Sequence, residues 1–279
     1  MPYDVPLRVL SITPTRDGTV NPSNRLPDKH VRLMHGKTLD EWTMLQLWSS
    51  KYISRAEFVC ETEEHAARLK PMADRYDIGL MVRPREMLHP INDSGALPLF
   101  YAVMQVLHED YYSLLVTPFV ITPLRPPGFF DHMVEQYLLL MDNPDQTTLQ
   151  PLLVGGWRDP ARTQWREIHG GKRTEPMSSY SFCPGTIEGT GWWESSQQHW
   201  VTATWAYVAR AIWDFTRPEA SILRPAYFEI PEWTDIHIDT EEQWGMAEYF
   251  FKKKILSQGE DCYERYRASW EEADDAELG

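Results

Sequence analysis

The run LRVLSIT at residues 7–13 is the first regular element that the sequence predicts. It is a short apolar segment bounded by Pro6 and Pro14, a pattern typical of a strand buried at the centre of a sheet. Residues 14–30 are rich in proline, glycine, asparagine and serine, and they predict a long loop at the carboxyl end of that strand. Beyond this loop, short apolar runs alternate with segments of helical spacing. The sequence therefore predicts an α/β protein.

The alternation continues over most of the 279 residues. Further strands are predicted at residues 56–60, 79–82, 112–116, 149–154, 201–208 and 226–230. Helices are predicted at residues 38–51, 62–76, 96–108, 128–141 and 241–256, and Thr38 is expected to cap the first of them. Strands separated by helices imply βαβ units and a mostly parallel sheet, which binds ligands beyond the carboxyl ends of its strands. We expect one such domain over residues 1–257.

Two segments depart from this pattern. Residues 155–200 are expected to form an irregular insertion rich in tryptophan. Its tryptophans are Trp157, Trp165, Trp192, Trp193 and Trp200. Such side chains either pack an insertion against its domain or stack on a base or a sugar. Residues 258–279 form an acidic tail, which is expected to be a solvated helix or a frayed end because residues 260–277 hold eight acidic residues and two basic ones.

Net charge, cysteine content and hydropathy indicate which partners, metal or disulfide sites and cellular location to expect. A formal charge of −14 repels phosphate backbones, which argues against nucleic acid or an anionic membrane as a general partner. Cys60, Cys183 and Cys262 are far apart in the sequence, so neither a zinc site nor a disulfide framework is indicated. No apolar run approaches the roughly 18 residues of a membrane span, and residues 1–9 lack the apolar core of a signal peptide. We expect a soluble cytoplasmic protein.

The segment Asp235-Ile236-His237-Ile238-Asp239 carries the strongest local signal for chemistry. On a β-strand, Asp235, His237 and Asp239 would point to one face and the two isoleucines to the other. Carboxylate and imidazole groups that converge at a strand end form a plausible site for a divalent cation. The alternative is an edge strand with its polar face in water and Asp239 capping the next helix.

Basic residues gather in the loop after the first strand. Arg16, Gly18, Arg25 and Lys29 lie among turn-forming residues, and such loops bind phosphate through backbone N–H groups and fixed cations. The loop matches neither the P-loop pattern nor the Rossmann glycine pattern, so neither an ATPase of that type nor a dinucleotide cofactor is supported. Taken alone, these basic residues also fit an ordinary solvated surface.

Two more arginines are expected on the same rim of the sheet. Arg83 and Arg125 each stand beside a proline shortly after a predicted strand, where they would add contacts to phosphate or carboxylate groups. The nine histidines show no local frame of a Ser-His-Asp hydrolase, and the sequence nominates no nucleophile. This suits a reaction that depends on positioning and on metal electrostatics.

Taken in order, five segments resemble the acylneuraminate cytidylyltransferase family, which includes the CMP-sialic acid synthetases and their relatives for bacterial nonulosonic acids. The segments are LRVLSITPTRDG (7–18), the stretch 25–59 that begins RLPDKH, VRPREML (82–88), LLVTPFVITPLRPP (114–127) and FEIPEWTDIHIDTEEQWGMAEYFF (228–251). They are similar to the family's first strand, its phosphate loop and following segment, R-P-x-E-L-A, L-L-Q-P-T-S-P-L-R-T-P and its late D-I-D-T block. The order is the family's order.

The resemblance implies a Rossmann-like, GT-A-like nucleotidyltransferase with three layers and a mostly parallel sheet. Such an enzyme condenses CTP with an acidic α-keto sugar, releases pyrophosphate under Mg²⁺ or Mn²⁺, and is often a homodimer. By position, Arg16 and Lys29 would contact the CTP phosphates, with Gly18 and Arg25 in the same loop and Arg83 near the nucleotide. Asp239 would hold the metal. Thr122 and Tyr207, together with Arg125 on the same rim, would contact the sugar.

Several positions depart from the family's pattern. The first aspartate of D-I-D-T is His237 here, which suits Mn²⁺ or Zn²⁺ better than Mg²⁺, and Asp235 would have to compensate. The phosphate loop is longer by about four residues between Arg16 and Pro27, and His30 replaces the asparagine that follows the lysine. Three hypotheses therefore stay open: a metal-dependent cytidylyltransferase, a glycosyltransferase that uses an activated nucleotide sugar, and a non-catalytic binding or assembly module.

Overall fold

The computed structural model describes residues 7–17, 26–84, 96–141, 152–158, 193–204 and 226–278. The strands are β1 (Val9–Pro14), β2 (Ile53–Cys60), β3 (Gly79–Val82), β4 (Leu114–Val116), β5 (Leu152–Arg158), β6 (Trp193–Ala203) and β7 (Ala226–Glu229). The α-helices are α1 (Leu39–Trp48), α2 (Glu63–Arg75), α3 (Ala96–Glu109), α4 (Phe129–Met141), α5 (Glu241–Phe250) and α6 (Cys262–Leu278). All strands and helices predicted between residues 7 and 141 are confirmed.

The seven described strands form one sheet in the order β3-β2-β1-β4-β6-β5-β7. Parallel pairing joins β3 to β2, β2 to β1, β1 to β4 and β5 to β7. Strand β6 is antiparallel to both of its neighbours, so the other six strands run in the same direction. The sheet is therefore mostly parallel, as the sequence predicted.

The strand order places a switch point between β1 and β4. From β1 the chain continues outward through β2 to β3 and then returns to add β4 on the opposite side of β1. In open α/β sheets, the crevice at such a point, outside the carboxyl ends of the two strands, is where ligands bind. The residues that follow Pro14 and Val116 therefore border the expected binding crevice.

Helices cover both faces of the sheet. Leu10 and Ile12 of β1 pack on one face with residues of α3, such as Val103, because alternate side chains of a strand point to opposite faces. Val9 faces the other side and joins a larger core to which α1, α2, α4 and α5 contribute. These two cores give the three-layer arrangement expected for this fold class.

Helix starts follow the local sequence signals. Thr38 caps α1, since its side chain accepts a hydrogen bond from the Glu41 N–H, and Thr62 caps α2 in the same way through the His65 N–H. Thr240 and Gln243 form a capping box at the start of α5, each accepting a backbone N–H from the other end. The N-cap predicted at Thr38 is confirmed.

The acidic C-terminal segment forms a helix, α6, whose first two residues, Cys262 and Tyr263, are buried. Tyr263 is fully buried and its hydroxyl accepts a hydrogen bond from Gln46 Nε2 at 3.1 Å. The Arg267 guanidinium lies 4.3 Å from the Trp48 ring centre and 5.3 Å from that of Trp270. Of the two predicted alternatives the helix is confirmed, and these contacts fix it to α1.

Three boundaries differ from the predictions. Strands β5 and β6 extend to Arg158 and back to Trp193, so both ends of the insertion that was expected to be irregular are regular; residues 159–192 lie outside the described ranges. The predicted helix over 241–256 is α-helical to Phe250, and the turn Phe251–Ile255 is a π-helix.

Among the described helices, none has the length and apolar character to cross a bilayer.

Candidate functional site

Three segments meet at the carboxyl edge of the sheet beside the switch point. They are residues 26–37 after β1, residues 117–127 after β4, and residues 230–240 before α5. The Ile238 N–H donates to the Ile121 carbonyl at 2.9 Å, which joins the last two segments. Lys29 Nζ donates to the Ile238 carbonyl at 2.7 Å, which joins the first to the third. These bonds fix the geometry of the rim around the crevice.

Lys29 and Asp239 form an ion pair at the centre of this rim. Lys29 Nζ lies 2.8 Å from Asp239 Oδ1, and the two side chains are only 6% and 19% exposed. The Asp239 N–H donates to Gln243 Oε1 at 2.7 Å, so the carboxylate is held at the positive end of α5. The residues predicted to contact the CTP phosphates and the metal, 210 positions apart in sequence, are thus brought into direct contact.

The loop that carries Lys29 is docked on α5. Arg32 Nη1 donates to both carboxylate oxygens of Glu241 at 2.8 Å, and its guanidinium lies 4.4 Å from the centre of the Trp244 ring. His35 Nε2 lies 2.9 Å from the Glu248 carbonyl. These contacts keep Lys29 in register with Asp239 along the helix.

The strand predicted over residues 235–239 is wrong. Glu232–Asp235 is a 3-10 helix, because Pro231 starts a turn in which both the N–H and the hydroxyl of Thr234 donate to the Pro231 carbonyl. Asp235 therefore does not share a strand face with His237 and Asp239. Burial lowers the pKa of the Arg125 guanidinium to about 9, and the charges of Tyr263 and Asp235 act in the opposite direction.

The metal ligands predicted here reduce to two neighbouring side chains. His237 Nε2 lies 3.7 Å from Asp239 Oδ2, and His237 is 39% exposed. In the described ranges, no three His, Cys, Asp or Glu side chains are grouped closely enough to hold a metal ion. One carboxylate and one imidazole still fit a divalent ion that takes its other ligands from water and phosphate oxygens, and this donor pair suits Mn²⁺ better than Mg²⁺.

A second buried ion pair anchors the start of the phosphate loop. Arg83 Nη2 donates to Glu61 Oε1, and the two side chains are 5% and 2% exposed. The other oxygen of Glu61 accepts the Asp17 N–H at 2.7 Å, and Arg68 donates to the Asp17 carboxylate at 2.8 Å. Arg16, between the buried Thr15 and Asp17, is exposed. The network thus fixes the backbone on which Arg16 projects to the surface.

Asp40 is a buried carboxyl group on α1 next to this network. Thr15 Oγ1 donates to Asp40 Oδ1 at 2.5 Å, and the residue is 1% exposed. Burial raises the pKa of Asp40 to about 7, while the hydrogen bond from Thr15 and the charge of Arg68 act in the opposite direction. The charge on this carboxyl therefore changes near neutral pH.

Two histidines in the same region have the opposite shift. Burial lowers the pKa of His65 to about 4. It lowers the pKa of His30 to about 4 as well, and Lys29 and Arg16 lower it further. Both imidazoles are therefore uncharged at pH 7.

Arg125 and Thr122 are buried inside the loop after β4. Arg125 Nη1 donates to Gln46 Oε1 and Nη2 donates to Thr122 Oγ1, both at 2.9 Å. Both residues are fully buried, and Tyr263 on α6 donates to the Arg125 carbonyl. These contacts stabilise the loop, and the sugar-binding role predicted for the two residues stays a prediction. Gly18, Arg25 and Tyr207 lie outside the described residues.

The structure adds residues that sequence reasoning missed. Asp17, Asp40 and Glu61 enter the site through contacts across 25 to 44 positions of sequence, and no local motif marks them. Thr13 and Thr117, at the carboxyl ends of β1 and β4, have buried hydroxyl oxygens that make no hydrogen bond within the described ranges. The position of these threonines directly after apolar strand residues was the available signal.

A hollow of about 420 Å³ lies away from this rim. It is found between α2 and β3 and is lined by residues that include Ala66, Lys70, Asp74 and Gly79. None of the predicted site residues borders it. The charged groups that would bind a polyanion are at the switch point, and we place the candidate site there.

Comparisons with known proteins bear on the fold. No protein-family model matches the sequence, and no curated protein matches it. Solved structures do match. A 4-diphosphocytidyl-2C-methyl-D-erythritol synthase from Anaerococcus prevotii has a TM-score of 0.56 and 10% identity, covering 88% of this chain and 96% of that one. A CMP:2-keto-3-deoxy-manno-octonic acid synthetase complexed with CTP has a TM-score of 0.56 and 10% identity, covering 89% and 100%.

A third structure, a cytidylyltransferase from Leptospira borgpetersenii, has a TM-score of 0.53 and 12% identity and covers 96% of both chains. At identities this low, the likeness concerns the course of the backbone and the strand order. The chain is similar to these proteins across nearly its whole length. It therefore has the Rossmann-like nucleotidyltransferase fold that its sequence predicted.

Proposed function

We propose that the protein is a cytidylyltransferase that transfers CMP from CTP to an acidic sugar and releases pyrophosphate. The observation that carries the proposal is the buried pair of Lys29 and Asp239 beside the switch point. The sequence resemblance assigned a phosphate contact to the first residue and a metal contact to the second, and the fold supports the proposal by bringing them together. The neighbouring structure complexed with CTP supports the choice of nucleotide.

The local charge supports binding of a polyanion. On a chain of net charge −14, the cations Arg16, Lys29, Arg68 and Arg83 gather around the carboxyl ends of β1 and β2. Asp17, Glu61 and Asp239 hold three of them in place through the contacts described above. Fixed cations of this kind stabilise a triphosphate and the charge that develops on its leaving group.

The reaction requires positioning more than covalent chemistry. The hydroxyl oxygen of the sugar forms a bond to the α-phosphorus of CTP, the bond from that phosphorus to the bridging oxygen breaks, and pyrophosphate leaves with the electron pair. The hydroxyl proton passes to solvent. Lys29 and Arg16 would hold the departing phosphates. A divalent ion, if bound, would be held by Asp239 and His237 and would offset the charge of the triphosphate.

The acidic sugar is the part of the proposal that rests most on resemblance. The synthetase among the structural neighbours acts on a keto sugar acid, according to its name, and the sequence resembles a family whose sugars are also α-keto acids. The exposed Arg16 supplies a guanidinium on the rim that fits a carboxylate as well as a phosphate.

Calorimetric titration of CTP, UTP, ATP and GTP with Mg²⁺ tests the nucleotide. We expect CTP to bind selectively, Lys29→Met to reduce the affinity at least tenfold, and Lys51→Met, a lysine on the opposite edge, to leave it unchanged. Pyrophosphate release is then measured with a panel of keto sugar acids. Equal affinity for all four nucleotides, or unaltered binding by Lys29→Met, would contradict the proposal.

A second function, nucleotide binding without catalysis, is favoured by one observation. His237 stands where the resembled family has a metal-binding aspartate, and it leaves a two-residue donor set in the described ranges. CTP binding without pyrophosphate release from any sugar acid would support this alternative. In an enzyme, Asp239→Ala should abolish metal-dependent turnover. A binding module would show no turnover either with or without this substitution.

A further inference from the structure

His30 occupies a special position on the phosphate loop. It directly follows Lys29 and is 8% exposed, so its imidazole is enclosed by the site rather than by solvent. Its Nδ1 atom is buried and has no hydrogen-bond partner among the described residues. A buried polar nitrogen without a partner is costly, so proteins keep such groups mainly where a ligand or an ordered water completes them.

The charges that face His30 come from each element around it. Lys29 belongs to the same loop, Arg16 and Asp17 follow β1, and His65 lies in the first turn of α2. Burial of the ring disfavours a charged imidazole most, Lys29, Arg16 and His65 add to it, and Asp17 only partly opposes them. The free protein therefore holds an uncharged imidazole mainly because the ring is buried, and the charges of Lys29 and Arg16 add to this effect.

A triphosphate bound by Arg16 and Lys29 would change this balance. Its negative charge cancels the repulsion that the two cations exert on a proton, and its oxygens accept hydrogen bonds from an imidazolium. Interacting groups of this kind titrate as a unit, so the ligand changes the protonation of the site as it binds. Asparagine, which the resembled family has at this position, can donate a hydrogen bond and cannot take up a proton.

We propose that His30 couples nucleotide binding to proton uptake: uncharged in the free protein, it becomes an imidazolium that donates a hydrogen bond to the phosphates beside Arg16 and Lys29. This inference rests on the proposed function in that it takes a nucleoside triphosphate as the ligand. It adds a specific consequence, since the affinity for the polyanion then increases as the pH falls. The maximum dependence is about tenfold per pH unit for one coupled proton.

The test measures the number of protons that the protein takes up when it binds the ligand. The full chain is titrated with CTP and Mg²⁺ at pH 7 in two buffers of different ionisation enthalpy, PIPES and imidazole, and the difference in heat gives the protons taken up. Inorganic pyrophosphate is titrated in the same way as a polyanion without base or sugar. His30→Asn is the test variant, and His108→Asn, an exposed histidine at the end of α3, is the matched control.

We expect wild type and His108→Asn to take up more protons than His30→Asn by up to one per bound ligand. The ¹⁵N shifts of the His30 ring in the wild-type protein give a second readout, and they should change from the neutral to the cationic pattern when pyrophosphate is added. CTP binding with equal proton uptake in wild type and His30→Asn, or unchanged ring shifts, would overturn the inference and leave the proposed function standing. His30-dependent uptake with pyrophosphate but no binding of CTP would support the proton coupling for a phosphate polyanion and overturn the proposed function.

Discussion

Two lysine–carboxylate pairs on opposite edges of the sheet make similar contacts in different surroundings. On the carboxyl edge, Lys29 Nζ lies 2.8 Å from Asp239, with side-chain exposures of 6% and 19%. Just before the amino end of β2, Lys51 Nζ lies 2.9 Å from Glu135, with exposures of 35% and 42%. Burying a charged pair has a desolvation free energy that burying an apolar pair does not have. An exposed charged pair loses little hydration and changes the free energy of folding little. The carboxyl edge therefore keeps a costly arrangement, which is expected where charge serves binding.

The largest effect is expected from breaking the buried pair. Lys29→Met should lower the free energy of unfolding by about 3 kcal/mol, because it leaves the largely buried Asp239 carboxylate without its cation. Urea denaturation of the purified variant measures this loss. The double variant Lys29→Met with Asp239→Asn should recover most of the stability and still fail to bind CTP. If Lys29→Met alone is as stable as wild type, the buried pair at the carboxyl edge contributes no more to stability than the exposed pair at the amino edge, which contradicts this prediction.

The second effect concerns the pH dependence of the carboxyl edge. The folded-state pKa of Asp40 is raised to about 7, so its stabilising contribution is present below the unfolded value near 3.8 and is lost as the pH rises through 7. Asp40→Asn mimics the protonated form at every pH. Relative to this variant, wild type should lose about 1.4 kcal/mol of stability per pH unit between pH 5 and pH 6.5.

Urea denaturation of wild type and Asp40→Asn at four pH values in this interval measures that difference. Comparing the two proteins at each pH removes the contributions of His30 and His65, which change in the opposite direction because their folded pKa values are lowered. Parallel stability curves for wild type and variant would show that Asp40 is ionised in the folded protein, and would contradict the prediction that its burial raises its pKa.

The fold was predictable because its signals are local. Most strands of the parallel sheet contain an apolar run of a few residues, and the helices have their own caps or periodicity, such as Thr38 before α1. The alternation in Asp235–Asp239 misled the prediction. Ile238 is fully buried, as it would be in a strand. Its N–H, however, makes one hydrogen bond to the Ile121 carbonyl instead of the series of backbone bonds that a paired strand makes, and Pro231 starts a turn just before the segment.

The site was only partly predictable because its contacts join distant residues. Lys29 and Asp239 were each nominated by local sequence signals and by resemblance to a family, but their contact follows from the fold rather than from either segment alone. Arg83 was expected near the nucleotide, and its partner Glu61 carried no signal beyond its position after β2. Pairing of this kind depends on which strands become neighbours, which the sequence of a single segment does not encode.

The smallest effect is expected at the amino edge. Lys51→Met keeps most of the aliphatic side chain and removes an ion pair whose two partners are both more than a third exposed, so the free energy of unfolding should change by at most about 1 kcal/mol. CTP affinity should not change. Because the variant removes the same positive charge from the chain as Lys29→Met, the pair of variants separates an effect of local burial from one of net charge. Equal losses of nucleotide affinity in both would assign binding to the overall field of the protein instead of to the rim at the switch point.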